Sequence, residues 1–162
     1  MFRFLLPVTM LVLLGGCAPV ADGEVLNENC AGVEVRVNFG PLDQAPIAEC
    51  IEVTDGTILA KEALNQAGVE IAGTTTYPDA IVCRVNGLPS EDVAIKVEGE
   101  DPHFESCLDM PPAFAYWALW VVNDPEVGWE YAMEGAATLE LTAGQSIGLA
   151  FATGDQAPTP DS

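Results

Sequence analysis

The apolar run from Ala113 to Val122 restricts the fold of this chain more than any other segment. It contains two of the three tryptophans, and turn residues bound it at Pro111-Pro112 and at Asn123-Asp124-Pro125. A run of apolar, aromatic and β-branched residues between turns is typical of a strand buried on both faces. A single helix covers only one face of a sheet, so we expect protein, a partner or a ligand to cover the other.

Alternation assigns the residues of this strand to two faces. Tyr116, Ala118, Trp120 and Val122 fall on one face, and Trp117, Leu119 and Val121 on the other. The aromatic residues of the strand and of the segment after it are either plain core or a surface that stacks on a planar ligand. The candidate ligand-binding residues are therefore Tyr116, Trp117, Trp120, Trp129 and Tyr131.

The first 16 residues have the features of a secretion signal. A single early base, Arg3, precedes an apolar segment from Phe4 to Leu14 that is too short to cross a bilayer as a helix. The residues Leu14-Gly15-Gly16-Cys17 resemble a bacterial lipobox, in which the cysteine is lipidated and becomes the mature N-terminus. An ordinary secretory signal with a chance cysteine is the alternative. We expect lipid on Cys17 to anchor the protein to the extracytoplasmic face of the cell membrane.

The chain is strongly acidic, with 25 acidic residues against five bases and a formal net charge of −20. Loss of residues 1–16 would remove Arg3, which is one of these five bases. Nucleic acid is excluded as a partner, because its phosphates would be repelled. The acidic protein also repels the anionic head groups of the membrane. We therefore expect only the lipid attached to Cys17 to hold the protein at the membrane. The acidic loop from Glu98 to Asp109 is interpreted as a solvated loop, with a calcium site as the alternative.

Four cysteines follow Cys17, and an even number outside the membrane predicts two disulfides. Three pairings are open. We favour Cys30 with Cys50 and Cys83 with Cys107, because consecutive pairing closes loops of modest length. Their spacing fits no zinc motif, and we expect no metal site.

Alternating and apolar runs predict a mixed sheet with one main helix. Val33–Phe39 alternates cleanly, and Ile47–Val53 returns as its hairpin partner. Helical spacing predicts a helix over Ile58–Ala67, capped by a side-chain oxygen of the turn Thr54–Thr57 and followed by Gly68. Further strands are predicted at Ala80–Val85, Ala113–Val122, Gly128–Met133, Ala137–Leu141 and Ile147–Phe151. This order favours an α+β fold, a β-grasp-like mixed sheet with the helix packed on one face and two disulfides.

These elements form one domain with a further segment at each end. Residues 1–16 are interpreted as a lipoprotein signal peptide and residues 17–31 as the lipidated cysteine with a flexible tether. Residues 32–152 are the β-grasp-like domain. Residues 153–162 are a polar, proline-containing tail that we expect to be frayed.

Several short motifs within residues 33–151 point to a known domain. They are Thr57-Ile58-Leu59, Ala63-Leu64, Ala67-Gly68, Cys83-Arg84-Val85-Asn86-Gly87, Tyr116-Trp117 through Trp120, Trp129 and Leu141-Thr142-Ala143-Gly144-Gln145-Ser146-Ile147. Together they resemble the transcobalamin/intrinsic-factor C-terminal-like domain of bacterial surface proteins. They are also similar to secreted or lipid-anchored actinobacterial proteins with a Tyr-Trp-x-x-Trp strand. The resemblance implies a soluble ligand-binding β-grasp fold, with a corrinoid or another flat organic molecule as its ligand.

Two functions agree with these observations. The first is a membrane-anchored extracytoplasmic binding module that captures a small hydrophobic or planar ligand, such as a corrinoid, for uptake through a transporter. The second is a protein-interaction or accessory subunit of a cell-envelope complex, with the aromatic strand or a sheet edge as its docking surface. A ligand binder should show an enclosed pocket lined by tryptophan and tyrosine, and an interaction module should show a flat, exposed apolar patch.

Enzymatic activity is not expected. The single histidine, His103, lies in an acidic loop and is interpreted as a solvated residue rather than as a general base or an axial ligand. The sequence contains no glycine-rich phosphate loop and no metalloprotease motif.

Overall fold

The computed structural model describes residues 30–155 and 157–162, which form nine strands and one helix. The predicted signal peptide, Cys17 and all of the tether before Cys30 lie outside the described residues. In chain order the elements are β1 (Val33–Asn38), β2 (Ile47–Ile51), β3 (Ile58–Leu59), α1 (Ala60–Gln66), β4 (Ile71–Gly73), β5 (Val82–Val85), β6 (Ala115–Val122), β7 (Glu130–Tyr131), β8 (Glu140–Leu141) and β9 (Ser146–Thr153).

The main sheet has five strands in the order β2-β1-β9-β6-β7. Its β1 and β9 run parallel, and every other neighbouring pair is antiparallel. Two small sheets, β3 with β8 and β4 with β5, complete the described strands. The predicted α+β class is therefore confirmed as a mixed sheet with a single helix among the described residues.

Alternation along β1 separates the two faces of the main sheet. Val33, Val35 and Val37 are fully buried in the same hydrophobic core as Leu64 of α1. We call this the helix face, and we call the opposite face of the sheet the second face. The second face carries the charged residues of β1, and these are buried as well, so both faces of the sheet are covered at β1.

The predicted helix start at Ile58 is wrong. Ile58 and Leu59 pair with Leu141 and Glu140 and form the small β3–β8 sheet. The residue Ile58 is buried in the core, whereas Leu59 is exposed. The apolar residues at the edge of the predicted helical stripe therefore belong to a strand, because a distant segment of the chain pairs with them.

The predicted side-chain cap of the helix is wrong for the same reason. Leu59 is the N-cap residue and makes no side-chain capping bond. Instead, the N–H of Ala60 donates to the carbonyl of Leu139, and the N–H of Lys61 donates to that of Ala136, both at 2.8 Å. Main-chain carbonyls thus satisfy two of the free donors of the first turn.

Both favoured disulfides are present. Cys30 is bonded to Cys50 of β2, with Cα atoms 5.6 Å apart, and Cys83 of β5 is bonded to Cys107, with Cα atoms 5.7 Å apart. These separations lie within the usual range for disulfides. The consecutive pairing predicted from the sequence is therefore confirmed.

Candidate functional site

Trp117 is a core residue on the helix face. Its ring makes edge contacts with Phe39 and Phe151, at centroid distances of 5.4 and 5.2 Å. Its indole Nε1 donates a hydrogen bond of 3.0 Å to the carbonyl of Leu88, and the side chain is only 6% exposed. The structure thus packs Trp117 inside the protein and gives its polar atom a partner.

Trp120 points to the second face and is also buried. Its ring stacks on Tyr131 with the centroids 4.0 Å apart and the planes 23° from parallel. Its indole Nε1 is buried and has no hydrogen-bond partner among the described residues. A buried donor without a partner carries a desolvation cost, so Trp120 is held in place by packing rather than by polar contacts.

Small residues on β9 leave room for other parts of the chain on the second face. Alternation directs Gly148 and Ala150 to this face, while their neighbours Leu149 and Phe151 enter the main core. A Cβ atom at Gly148 would meet the Pro160 side chain at 2.4 Å and the Trp129 ring at 3.1 Å. Glycine is therefore required here by the close approach of the C-terminal segment.

Polar contacts fix residues 157–162, which we call the tail, onto the second face. The Asp161 carboxylate accepts a hydrogen bond of 2.6 Å from Trp129 Nε1 and forms an ion pair of 3.3 Å with Arg36. Arg36 also pairs with Glu34 at 2.9 Å, and both of these side chains are buried. Asn38 donates to the carbonyl of Ser162.

The expectation that residues 153–162 are frayed is wrong for the tail, residues 157–162. Composition alone suggested fraying, but Pro160 is buried and Ala157 packs against Trp120 and its neighbours. The sequence left open what covers the second apolar face of β6, and the structure answers this in part. The chain itself covers Trp120 and Trp129 on the second face.

The outer edge of β6, facing away from β9, is open along its first half. β6 pairs with β9 at all eight of its residues but with β7 only at Trp120 and Val121. One more bond joins the N–H of Ala132 to the carbonyl of Leu119 at 2.9 Å. β7 was predicted over Gly128–Met133 but pairs at only two residues, so it leaves the first half of β6 uncovered.

A groove of about 670 Å³ lies beside this open edge, and we call it the β6 groove. Its walls come from β6, from the segment before and at the start of β5, from the Pro-Pro segment and from the chain after β7. The lining residues are Ala80, Ile81, Val82, Met110, Pro111, Pro112, Ala113, Tyr116, Trp117, Ala118, Leu119, Tyr131, Ala132, Met133, Glu134, Gly135 and Asp155. The groove opens to solvent rather than enclosing a cavity.

Exposed apolar side chains and acidic groups characterise the β6 groove. Met110 is 60% exposed, Tyr131 is 50% exposed and Met133 is 95% exposed. Glu134 and Asp155 are the charged residues of the lining, and no base among the described residues lines it. Exposed methionines adapt to varied apolar surfaces. The groove therefore combines adaptable apolar side chains with negative charge.

Two tyrosine hydroxyls meet at the rim of the groove. The oxygens of Tyr116 and Tyr131 lie 3.5 Å apart. The hydrogen bond to Tyr116, followed by burial, raises the pKa of Tyr131 from 10.0 to about 12, because only the protonated phenol can donate. Tyr131 therefore offers the groove a neutral hydroxyl at physiological pH.

The structure separates the predicted site residues into two groups. Tyr116, Trp120, Trp129 and Tyr131 belong to the second-face side of the sheet, whereas Trp117 belongs to the main core. Only Tyr116, Trp117 and Tyr131 line the β6 groove. The five candidates thus do not form one aromatic pocket.

Sequence reasoning missed other groove residues, above all Met110 and Met133. The Pro-Pro step was interpreted only as a boundary of the strand, although it also forms one wall of the groove. Met133 alternates with Tyr131 in the sequence, and this was the available signal that both lie on one side. Nothing in the sequence showed that β7 would stop at Tyr131.

A second cluster surrounds the Cys83–Cys107 disulfide. Glu105 is buried, accepts a bond of 2.7 Å from the N–H of Cys107 and contacts His103 Nε2 at 3.2 Å. Arg84 donates to the Cys107 sulfur and to the carbonyl of Glu105, each at 2.8 Å. The cluster gathers Cys83, Glu105 and Cys107 closely, but sulfurs joined in a disulfide are not the thiolate ligands that metals bind.

No known protein family, curated protein or solved structure matches this chain. The resemblance to the transcobalamin-like domain stays a prediction. Within residues 30–155 and 157–162, no helix has the length and apolar character needed to span a membrane.

Proposed function

We propose that this protein is a lipid-anchored, extracytoplasmic interaction module that docks a partner in the β6 groove. The observation that carries the proposal is the open groove beside the unpaired half of β6, with Tyr131 and Met133 exposed in it. Exposed apolar surface of this kind marks interaction sites. The proposal includes no catalytic step.

The burial of the tryptophans favours a protein partner over an enclosed small ligand. Trp117 and Trp120, two of the candidate ligand-binding residues, are 6% and 7% exposed and are packed against protein. Of the remaining candidates, the tail covers Trp129, and Tyr116 and Tyr131 lie along the open groove. An open apolar groove is not the flat patch expected of an interaction module, but it is also not the enclosed pocket lined by tryptophan and tyrosine that was expected of a ligand binder.

Anchoring and location are part of the same proposal. The lipobox-like residues Leu14-Gly15-Gly16-Cys17 support lipid attachment at Cys17. Two disulfides are usual in proteins that fold in an oxidising compartment outside the cytoplasm. The chain has a formal net charge of −20, so anionic head groups repel it, which leaves its surface free for a partner.

We infer further that the fold is a β-grasp. The support is the strand order β2-β1-β9-β6-β7 with its parallel pair β1 and β9, which follows the general β-grasp pattern. The β1–β2 hairpin precedes α1, and α1 shares the core of the helix face. This inference agrees with the fold that the transcobalamin resemblance implies.

A small hydrophobic or planar ligand, such as a corrinoid on its way to a transporter, is the second candidate. The volume of the β6 groove, about 670 Å³, lies in the range of small-molecule sites. Tyr116 and Tyr131 at its rim offer ring faces and hydroxyl groups. Titration with cobinamide tests this candidate: saturable quenching of tryptophan fluorescence that Tyr131→Ala abolishes would favour it.

Site-specific cross-linking in the source cells tests the main proposal. A photoreactive phenylalanine analogue replaces Met133 in the full chain and, in a matched control, replaces Val93, which is 62% exposed and outside the groove. We expect a discrete cross-linked product in the membrane fraction from position 133 only. Identical products from both positions, or none from position 133, would contradict the proposal.

A further inference from the structure

The open half of β6 is a sheet edge that another chain can extend. No strand of the described residues pairs with the outer edge of Ala115–Leu119. β5 approaches β6 but pairs with β4 instead. The edge before the bond at Leu119 comprises the four residues Ala115–Ala118 and is about 13 Å long. Such an edge is a template for an incoming strand.

The main chain of Trp117 faces this edge. The N–H of Gly154 donates to the carbonyl of Phe114, so even-numbered residues of β6 direct their main-chain groups toward β9. The carbonyl of Leu119 instead accepts a bond from Ala132 on the outer side. Main-chain groups of alternate residues point to the same edge of a strand. Trp117 lies two residues before Leu119, so its N–H and C=O also point to the outer edge.

The chemistry of the groove defines what such a strand would carry. One face of an added strand would meet apolar walls that include Ile81, Pro112 and Met133. The charged lining residues, Glu134 and Asp155, are both acidic. Side chains alternate along a strand, so apolar and basic residues in alternation would match both surfaces.

We propose that the β6 groove binds an extended peptide segment of a partner protein, in which apolar and basic residues alternate, as an added strand beside Ala115–Ala118. This inference rests on the proposed function and specifies its partner. Main-chain hydrogen bonds supply affinity, and the apolar walls and acidic residues supply specificity.

Charge disfavours a second copy of this chain as the occupant. Each copy carries a formal net charge of −20, so two copies repel each other. The tail of the same chain is engaged on the second face through Asp161. A basic segment of a different protein is therefore the partner that the charge distribution selects.

The test uses dye-labelled synthetic peptides of about seven residues, long enough to cover the open edge. The parent peptide alternates valine and lysine and is capped at both ends. Two isomers carry N-methyl groups on either the valine or the lysine nitrogens, and a fourth peptide has glutamate in place of lysine. Fluorescence anisotropy at physiological salt measures their binding to the full, oxidised protein.

Strand addition predicts an asymmetry between the two methylated isomers. Only one set of nitrogens faces β6, so one isomer should lose about tenfold or more in affinity while the other binds nearly as the parent does. The glutamate peptide should not bind. Both isomers have the charge of the parent, so attraction to an acidic surface alone cannot produce this difference.

Protein variants place the binding in the groove. Met133→Lys should weaken binding of the parent peptide strongly, whereas Val93→Lys, with the same charge change outside the groove, should have a small effect. Equal binding of both methylated isomers, equal loss in both, or equal effects of the two variants would overturn strand addition. Cross-linking at position 133 without peptide binding would overturn this inference and leave the proposed function standing, and failure of both would overturn both.

Discussion

The second face of the sheet and the β6 groove contain neighbouring aromatic residues but are covered in opposite ways. On the second face, the tail closes over Gly148 and is fixed by Asp161 to Arg36 and Trp129. Beside the outer edge of β6 no segment of the described chain fills the groove, and Met133 is 95% exposed. The difference suggests that the closed surface maintains the fold, whereas the open surface is available for binding.

The largest effect on stability is expected at the closed surface. Gly148→Ala places a Cβ atom 2.4 Å from the Pro160 side chain, so the tail must move. Overpacking of this kind costs about 1–3 kcal/mol. Urea unfolding followed by tryptophan fluorescence measures the change.

The matched control lies in the open groove. Met133→Ala should change the free energy of unfolding by less than about 0.5 kcal/mol, as for other exposed positions. If Gly148→Ala were as stable as the parent protein, the tail would not be a close-packed part of the fold.

Removal of the tail's carboxylate should have the next largest effect. Asp161→Ala deletes the acceptor of the Trp129 indole N–H and one ion-pair partner of Arg36. Because Asp161 is partly exposed, we expect a loss of about 1–2 kcal/mol in urea unfolding. Asp161→Asn, which keeps an acceptor for Trp129, should lose less. Equal losses for the two variants would show that the hydrogen bond contributes little.

The two buried tryptophans should respond differently to the same substitution. Trp117→Phe breaks the hydrogen bond to the carbonyl of Leu88, whereas Trp120→Phe removes an N–H without a partner among the described residues. We expect Trp117→Phe to cost about 1 kcal/mol more in thermal unfolding. A larger loss at Trp120 would mean that its indole N–H stabilises the fold.

The smallest expected effect is a change in titration at the groove rim. Tyr116→Phe removes the hydroxyl that holds the pKa of Tyr131 at about 12, so the pKa should return toward 10.0. Since the folded-state pKa is raised, its contribution to stability is complete below pH 10 and is lost as the pH rises toward 12. Tyrosinate absorbance against pH measures the shift, and an unchanged titration curve would exclude the Tyr116 contact as its cause.

The sequence predicted the strands whose side-chain pattern is local. The alternation of Val33, Val35 and Val37 and the two faces of β6 are confirmed, because burial on one face requires that period. Both disulfide pairs are confirmed as well. The strand patterns depend on neighbours in the sequence, and the disulfide pairs had to be chosen from only three possible pairings.

Features that depend on distant contacts were not predictable in the same way. The helix starts at Ala60 because carbonyls near Leu139 reach its first turn, and the polar tail is ordered because Gly148 leaves room for Pro160. The groove exists because β7 pairs at only two residues. None of these contacts leaves a periodic signal in the sequence.

Residue-resolved amide hydrogen exchange along β6 tests the open edge most directly. Ala118 directs its main-chain groups to β9, whereas the N–H of Trp117 faces the groove. The account predicts fast exchange at Trp117 and slow exchange at Ala118 in the free protein, with Trp117 becoming protected when the alternating valine–lysine peptide binds. Equal protection of the two amides in the free protein would contradict the open edge and, with it, the proposed docking site.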